Sequence, residues 1–137
     1  MHEQTGNIDS KTLKYLKKVA KDATWKVVKG DGRDYLTSFC GDDVKKLFDW
    51  DFQAAFFLKI PPGGKVHPHV DVERPWSTFH VVVQTNAKCI SYSMDDDKRI
   101  GFHPKTKGIY RVNRQLEHWA INNGTTDRIH LLCLVYE

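Results

Sequence analysis

A chain of 137 residues with 40% apolar and 28% charged residues has the make-up of one ordinary globular domain, long enough for a real core and too short for two. Four Trp, five Tyr and seven Phe argue against disorder. No stretch approaches the ~20 uncharged apolar residues of a membrane span. The opening MHEQTGNIDS lacks the charged-then-apolar layout of a secretion signal, so a cytoplasmic protein is expected.

The net charge of +4 does not point to nucleic acid, because the basic residues are dispersed apart from Lys11, Lys14, Lys17, Lys18 and Lys21. Those five read as the solvated face of a helix. Cys40, Cys89 and Cys133 have neither C-x-x-C nor zinc-ribbon spacing, so they read as reduced core or near-core thiols.

In chain order, Leu13, Leu16, Val19 and Ala20 recur at helical spacing and predict a helix from Asp9 to about Asp22, with Asp9 or Ser10 as its cap. Two short β-prone stretches follow, Trp25 to Val28 and Tyr35 to Phe39. Asp42-Asp43 then cap a short helix through Val44, Leu47 and Phe48.

From Gln53 the pattern turns to strands. These are Phe56 to Ile60, Val66 to Val72, Thr78 to Gln84, Cys89 to Met94, Arg99 to His103, Ile109 to Val112, Glu117 to Ile121 and Arg128 to Tyr136. Their connectors carry turn chemistry: Pro61-Pro62-Gly63-Gly64, Asp95-Asp96-Asp97, Pro104 to Gly108 and Asn122-Asn123-Gly124. The expectation is a mainly β jelly roll with one or two N-terminal helices. It forms a single domain over 1–137, with a helical support segment at about 1–52 and a β core at about 53–137.

His69-Val70-Asp71 is the most informative motif. Alternate residues of a strand share a face, so His69 and Asp71 point the same way. In a jelly roll, His118 on a late strand can meet them. Two imidazoles and one carboxylate can occupy one face of an iron(II) ion and leave its other positions for substrates.

Arg128 opens the most apolar strand of the chain. If it enters the barrel interior, it needs an anion, such as a dicarboxylate co-substrate held by a two-pronged contact. At an exposed strand edge it would pair with Asp127 or solvent. His80, in an apolar strand, is either a satisfied core histidine or a donor to a bound carboxylate. His130 shares the face of Arg128 and can serve the same anion. His67 reads as a rim residue or as support for a metal-bound imidazole. His103 and His2 read as surface residues.

Leu58-Lys59-Ile60-Pro61-Pro62-Gly63-Gly64, His67-Pro68-His69-Val70-Asp71, Phe79-His80-Val81-Val82, Gly108-Ile109-Tyr110 through His118, Asn122-Asn123-Gly124 and Asp127-Arg128-Ile129-His130-Leu131 together resemble the aspartyl/asparaginyl β-hydroxylase family, which includes bacterial proline hydroxylases. The resemblance runs from Leu58 to Glu137, and the first 57 residues add nothing to it.

The resemblance implies a double-stranded β-helix, cupin-like, and an iron(II)- and 2-oxoglutarate-dependent oxygenase that hydroxylates an amino acid or peptide side chain with release of succinate and CO2. It implies that His69, Asp71 and His118 bind the iron, that Arg128 holds the distal carboxylate of 2-oxoglutarate and that His80 contacts the same co-substrate. O2 and a small-molecule or peptide substrate are the remaining partners.

Asp71 keeps a carboxylate ligand that some mammalian-type members lack. Thr78 stands where those members carry an arginine. Arg74, Trp76, Tyr110, Gln115 and Trp119 are candidates for the substrate pocket. A metal cupin that does not use 2-oxoglutarate and a non-enzymatic jelly-roll binding module are the competing readings.

Overall fold

The computed structural model describes residues 2–30, 33–71, 76–113 and 115–136, with the backbone alone for His2 and Trp76. Its first element is a strand, β1 (His2–Asn7), followed by α1 (Ser10–Lys21). Asp9 caps α1 by accepting the Thr12 N–H at 2.7 Å, and this bond holds the Asp9 carboxyl below its usual range. Leu16 and Ala20 are the buried residues of α1. They pack with Ala55, Phe57, Val81, Val83, Leu131 and Cys133 in the larger hydrophobic core. Fully burying one such leucine contributes about 2 kcal/mol.

The hairpin of β2 (Lys26–Gly30) and β3 (Arg33–Phe39) comes next, then the four-residue α2 (Asp42–Lys45). Gly41 occupies the N-cap of α2 without a side-chain bond, so Asp42 and Asp43 lie inside the helix and not at its cap. The remaining strands are β4 (Phe52–Ile60), β5 (Lys65–His69), β6 (Trp76–Gln84), β7 (Cys89–Asp95), β8 (Lys98–Phe102), β9 (Gly108–Val112), β10 (His118–Asn122) and β11 (Arg128–Tyr136). Every pairing is antiparallel.

The strands follow the order β1-β9-β6-β11-β4-β3-β5-β10-β7-β8, with β2 on β3. A single ladder pair, Asp34 with Lys65, joins the larger run ending at β3 to the smaller run β5-β10-β7-β8. The sheet thereby curls over on itself, and this is the expected mainly β, cupin-like jelly roll. β1, β2 and β3 belong to that same sheet, so the first 52 residues supply strands as well as helices. None of the helices among the described residues is long and apolar enough to cross a membrane.

Strand alternation sorts the side chains. On β11 and β4, Leu131, Cys133, Ala55 and Phe57 face α1, while Leu132, Leu58 and Ile60 face inward with Ala120 of β10. The turn after β4 is held from both sides: Gly63 N–H donates to Asn122 O, and Asn122 N–H donates to Gly64 O. A Cβ on Gly64 would stand 2.5 Å from the Asp34 carbonyl, so glycine is required where the two runs of the sheet meet. Cys89 and Cys133 are buried free thiols and Cys40 is half-buried.

Candidate metal centre and anion pocket

β5 ends at His69, short of the expected strand, whose last residue Val72 lies outside the described residues, and Asp71 sits just past the ladder. His118 opens β10 directly opposite His69. This register brings the remote His118 to the neighbouring His69 and Asp71: one ligand atom each from the three lies within 4.8 Å of the others. Asp71 Oδ2 is 3.2 Å from His118 Nε2 and 3.7 Å from His69 Nε2. Ligands at right angles on one ion at ~2.1 Å would lie ~3 Å apart, so modest side-chain movement suffices to close such a set.

The imidazoles are oriented for this task. His69 Nδ1–H donates to the His67 carbonyl at 2.8 Å, and His118 Nδ1–H donates to the Leu116 carbonyl at 2.9 Å. Each bond places the Nδ1 proton and sets Nε2 on the side of the shared carboxylate, so that the neutral ring has its lone pair there for a metal. Burial, first, and the neighbouring His118 hold the His69 imidazole below its usual range, while the His67 carbonyl and Asp71 pull the other way. A neutral imidazole is the form a metal needs. It is the backbone of His67 that supports His69. The His67 ring accepts a hydrogen bond from Arg33 Nε at 3.3 Å.

Deeper in the barrel, Arg128 is 3% exposed and opposite Ile60, which packs with Ala120 two places along β10 from His118. The exposed-edge alternative for Arg128 therefore fails. Among the described residues no carboxylate forms an ion pair with it, Asp127 included. Burial presses its pKa down to about 10, which leaves it charged at neutral pH. His130, 1% exposed, shares its face, and His80 lies on the neighbouring strand with the two Nδ1 atoms 3.0 Å apart. One of the two must carry the proton on Nδ1 and donate it to the other.

The other candidates separate. Tyr110 is a buried residue of β9 opposite His80, and its hydroxyl accepts the Lys105 N–H at 3.0 Å. Gln115 lies exposed in the turn before His118 and Trp119 stacks on Tyr92, so neither lines the barrel mouth. Arg74 and the Trp76 and His2 side chains fall outside the described residues. His103 is exposed as expected, with Nδ1–H donating to Cys89 O.

Sequence reasoning missed the mouth itself. A cavity of about 340 Å³ opens beside His69 and Asp71 and is walled by β3, β4, β6 and β11. Tyr35, Thr37 and Phe39 alternate along β3 and share that wall, a period-2 signal present in the sequence but without an assigned face.

An antiparallel jelly roll with two imidazoles and a carboxylate at its mouth and a buried guanidinium inside has the architecture and ligand types of the non-heme oxygenase class. The profile of the aspartyl/asparaginyl β-hydroxylase family matches residues 34–137, and the chain belongs to that family. It is therefore a hydroxylase-type enzyme. The match begins in β3 and takes in the whole of β4, whereas the resemblance starts near the end of β4 at Leu58.

None of the curated proteins matches the chain in sequence. Solved structures share its fold. An oxidoreductase of the 2OG-Fe(II) oxygenase family from Burkholderia pseudomallei has 7% identity and a TM-score of 0.80, over 94% of this chain and 80% of that one. A prolyl-4-hydroxylase from Pseudomonas putida has 9% identity and a TM-score of 0.75, over 99% and 92%. A cupin domain from Bordetella pertussis Tohama I has 13% identity and a TM-score of 0.54, over 80% and 100%.

Proposed function

We propose that the chain is an iron(II)- and 2-oxoglutarate-dependent hydroxylase of an amino acid or peptide side chain, releasing succinate and CO2. His69, Asp71 and His118 hold the iron, Arg128 pairs with the distal carboxylate of 2-oxoglutarate, and His80 and His130 flank that anion. The observation that carries this reading is the buried Arg128 with no carboxylate partner among the described residues, in the same barrel as three preoriented metal-type ligands. A buried guanidinium is costly unless an anion neutralises it, and a dicarboxylate bridging metal and arginine does so. A cupin that does not use 2-oxoglutarate leaves Arg128 unexplained.

With 2-oxoglutarate and O2, bound iron(II) supplies an oxidant able to hydroxylate an unactivated C–H bond. The chain's own work is positional. The backbone carbonyls of His67 and Leu116 fix the ligand tautomers, Arg128 fixes the co-substrate by its far end, and the barrel walls exclude water.

Anaerobic titration of the iron(II) protein with 2-oxoglutarate tests the reading through a metal-to-ligand charge-transfer band. The band is expected in the native chain, lost in His118→Ala and right-shifted at least ~30-fold in concentration in Arg128→Ala, since breaking a desolvated charge pair costs at least ~2 kcal/mol. A band with unchanged 2-oxoglutarate affinity in Arg128→Ala overturns the co-substrate role.

A further inference from the structure

We infer that the substrate presents an uncharged, chiefly apolar group to the metal centre, an inference that rests on the hydroxylase reading. The cavity beside His69 and Asp71 is walled by Tyr35 and Phe39 of β3, Phe56 of β4 and Leu132 and Leu134 of β11. Its further polar groups are hydroxyls, from Tyr35, Thr37 and Thr78. Asp71 is its one formal charge among the described residues, and that carboxylate is committed to the metal.

A free amino acid would bring an ammonium and a carboxylate against phenyl and isobutyl walls. Neither would find an ionic partner among the described residues of the cavity, a penalty that hydroxyls do not offset. Arg128, the buried cation of the barrel interior, is not among the residues that line this cavity.

Size and surface agree. About 340 Å³ lies at the small end of ligand pockets, enough for one large side chain or a ring. The aromatic wall also continues outward: Phe39 is 76% exposed and packs against Phe56 with centroids 5.2 Å apart, while Val70, between His69 and Asp71 in sequence, is 41% exposed. Exposed apolar surface at the opening, from Phe39, suits a group carried on a larger uncharged backbone, such as a residue within a peptide, better than a small zwitterion.

Saturation-transfer NMR on the full chain, with and without manganese(II) and 2-oxoglutarate, tests this with matched probes: N-acetyl-leucinamide and N-acetyl-phenylalaninamide against free leucine, proline and aspartate, with p-cresol as a non-peptidic apolar probe. The capped residues are expected to bind at least ~10-fold tighter than the free amino acids. Phe39→Ala, a change at an exposed position, should weaken the capped probes ~10-fold, the scale of a single aromatic anchor.

Binding by p-cresol alone would keep the apolar chemistry and assign it to a non-peptide substrate. Free amino acids binding as tightly as their capped forms, or no apolar probe binding at all, overturns the inference. Because the probes are read without metal as well as with it, that failure is separable from a failure of iron or 2-oxoglutarate to bind.

Discussion

Replacing Arg128 by methionine should make the ligand-free protein more stable while removing its co-substrate. The side chain is 3% exposed, and burial lowers its pKa from 12.5 to about 10. At ~1.4 kcal/mol per unit, that fall puts the cost of holding the charge inside the barrel on the order of 3 kcal/mol. No ion pair among the described residues offsets it, so desolvation outweighs what the guanidinium gains. A methionine of similar length keeps the packing and removes the charge, a change worth ~1–4 kcal/mol where buried charges have been replaced by apolar groups.

Urea unfolding of the metal-free protein reads this as a midpoint shifted upward by about 1 M for a gain of ~2 kcal/mol, given urea slopes of ~1–3 kcal/mol per molar. With manganese(II) in both samples, adding 2-oxoglutarate should close the gap. Co-substrate at 100 times its native Kd stabilises the native chain by ~2.7 kcal/mol, and a variant that binds it at least ~30-fold more weakly by at most ~0.9 kcal/mol. A lower midpoint for Arg128→Met without ligand would mean that the guanidinium is already satisfied in the empty fold, and the reasoning would fail.

Two further outcomes test the fold around the site. Leu16→Ala removes the fully buried contact by which α1 covers the back of the larger sheet, and should cost ~3 kcal/mol in urea unfolding; a loss below ~1 kcal/mol would mean that α1 is not docked as described. Burial pushes the Cys40 thiol from 9.0 up to about 11, so between those values the folded chain holds a proton that the unfolded chain releases. This contribution is complete below pH 9 and is lost as pH rises towards 11. The thermal midpoint of the native chain should therefore fall more steeply over that range than that of Cys40→Ala, and parallel curves would refute the burial.

The motifs with strong local physics were legible. The burial of Arg128 was readable because a cation at the start of an apolar strand demands an explanation, whereas His69 and Asp71 come together just past the end of β5 and not by strand alternation. Asp9 was readable as a cap by its chemistry alone. β1 was not, since His2-Glu3-Gln4-Thr5-Gly6-Asn7 has no apolar alternation and is a strand through its pairing with β9. The cavity wall from β3 was hidden for a related reason: Tyr35, Thr37 and Phe39 acquire a common inner face once β3 pairs with β4 and touches β5, contacts set by long-range register. Gln115 is close to His118 in sequence, but the turn carries it out to solvent.

The supports of both imidazoles are main-chain carbonyls two residues upstream of each ring. No change of side-chain identity can delete such an acceptor, so the residues around the mouth are free to drift without unsettling the ligands. A catalyst wired this way can exchange what it acts upon through mutation of its walls while its reactive heart is inherited intact, a separation useful both to natural divergence and to laboratory retargeting.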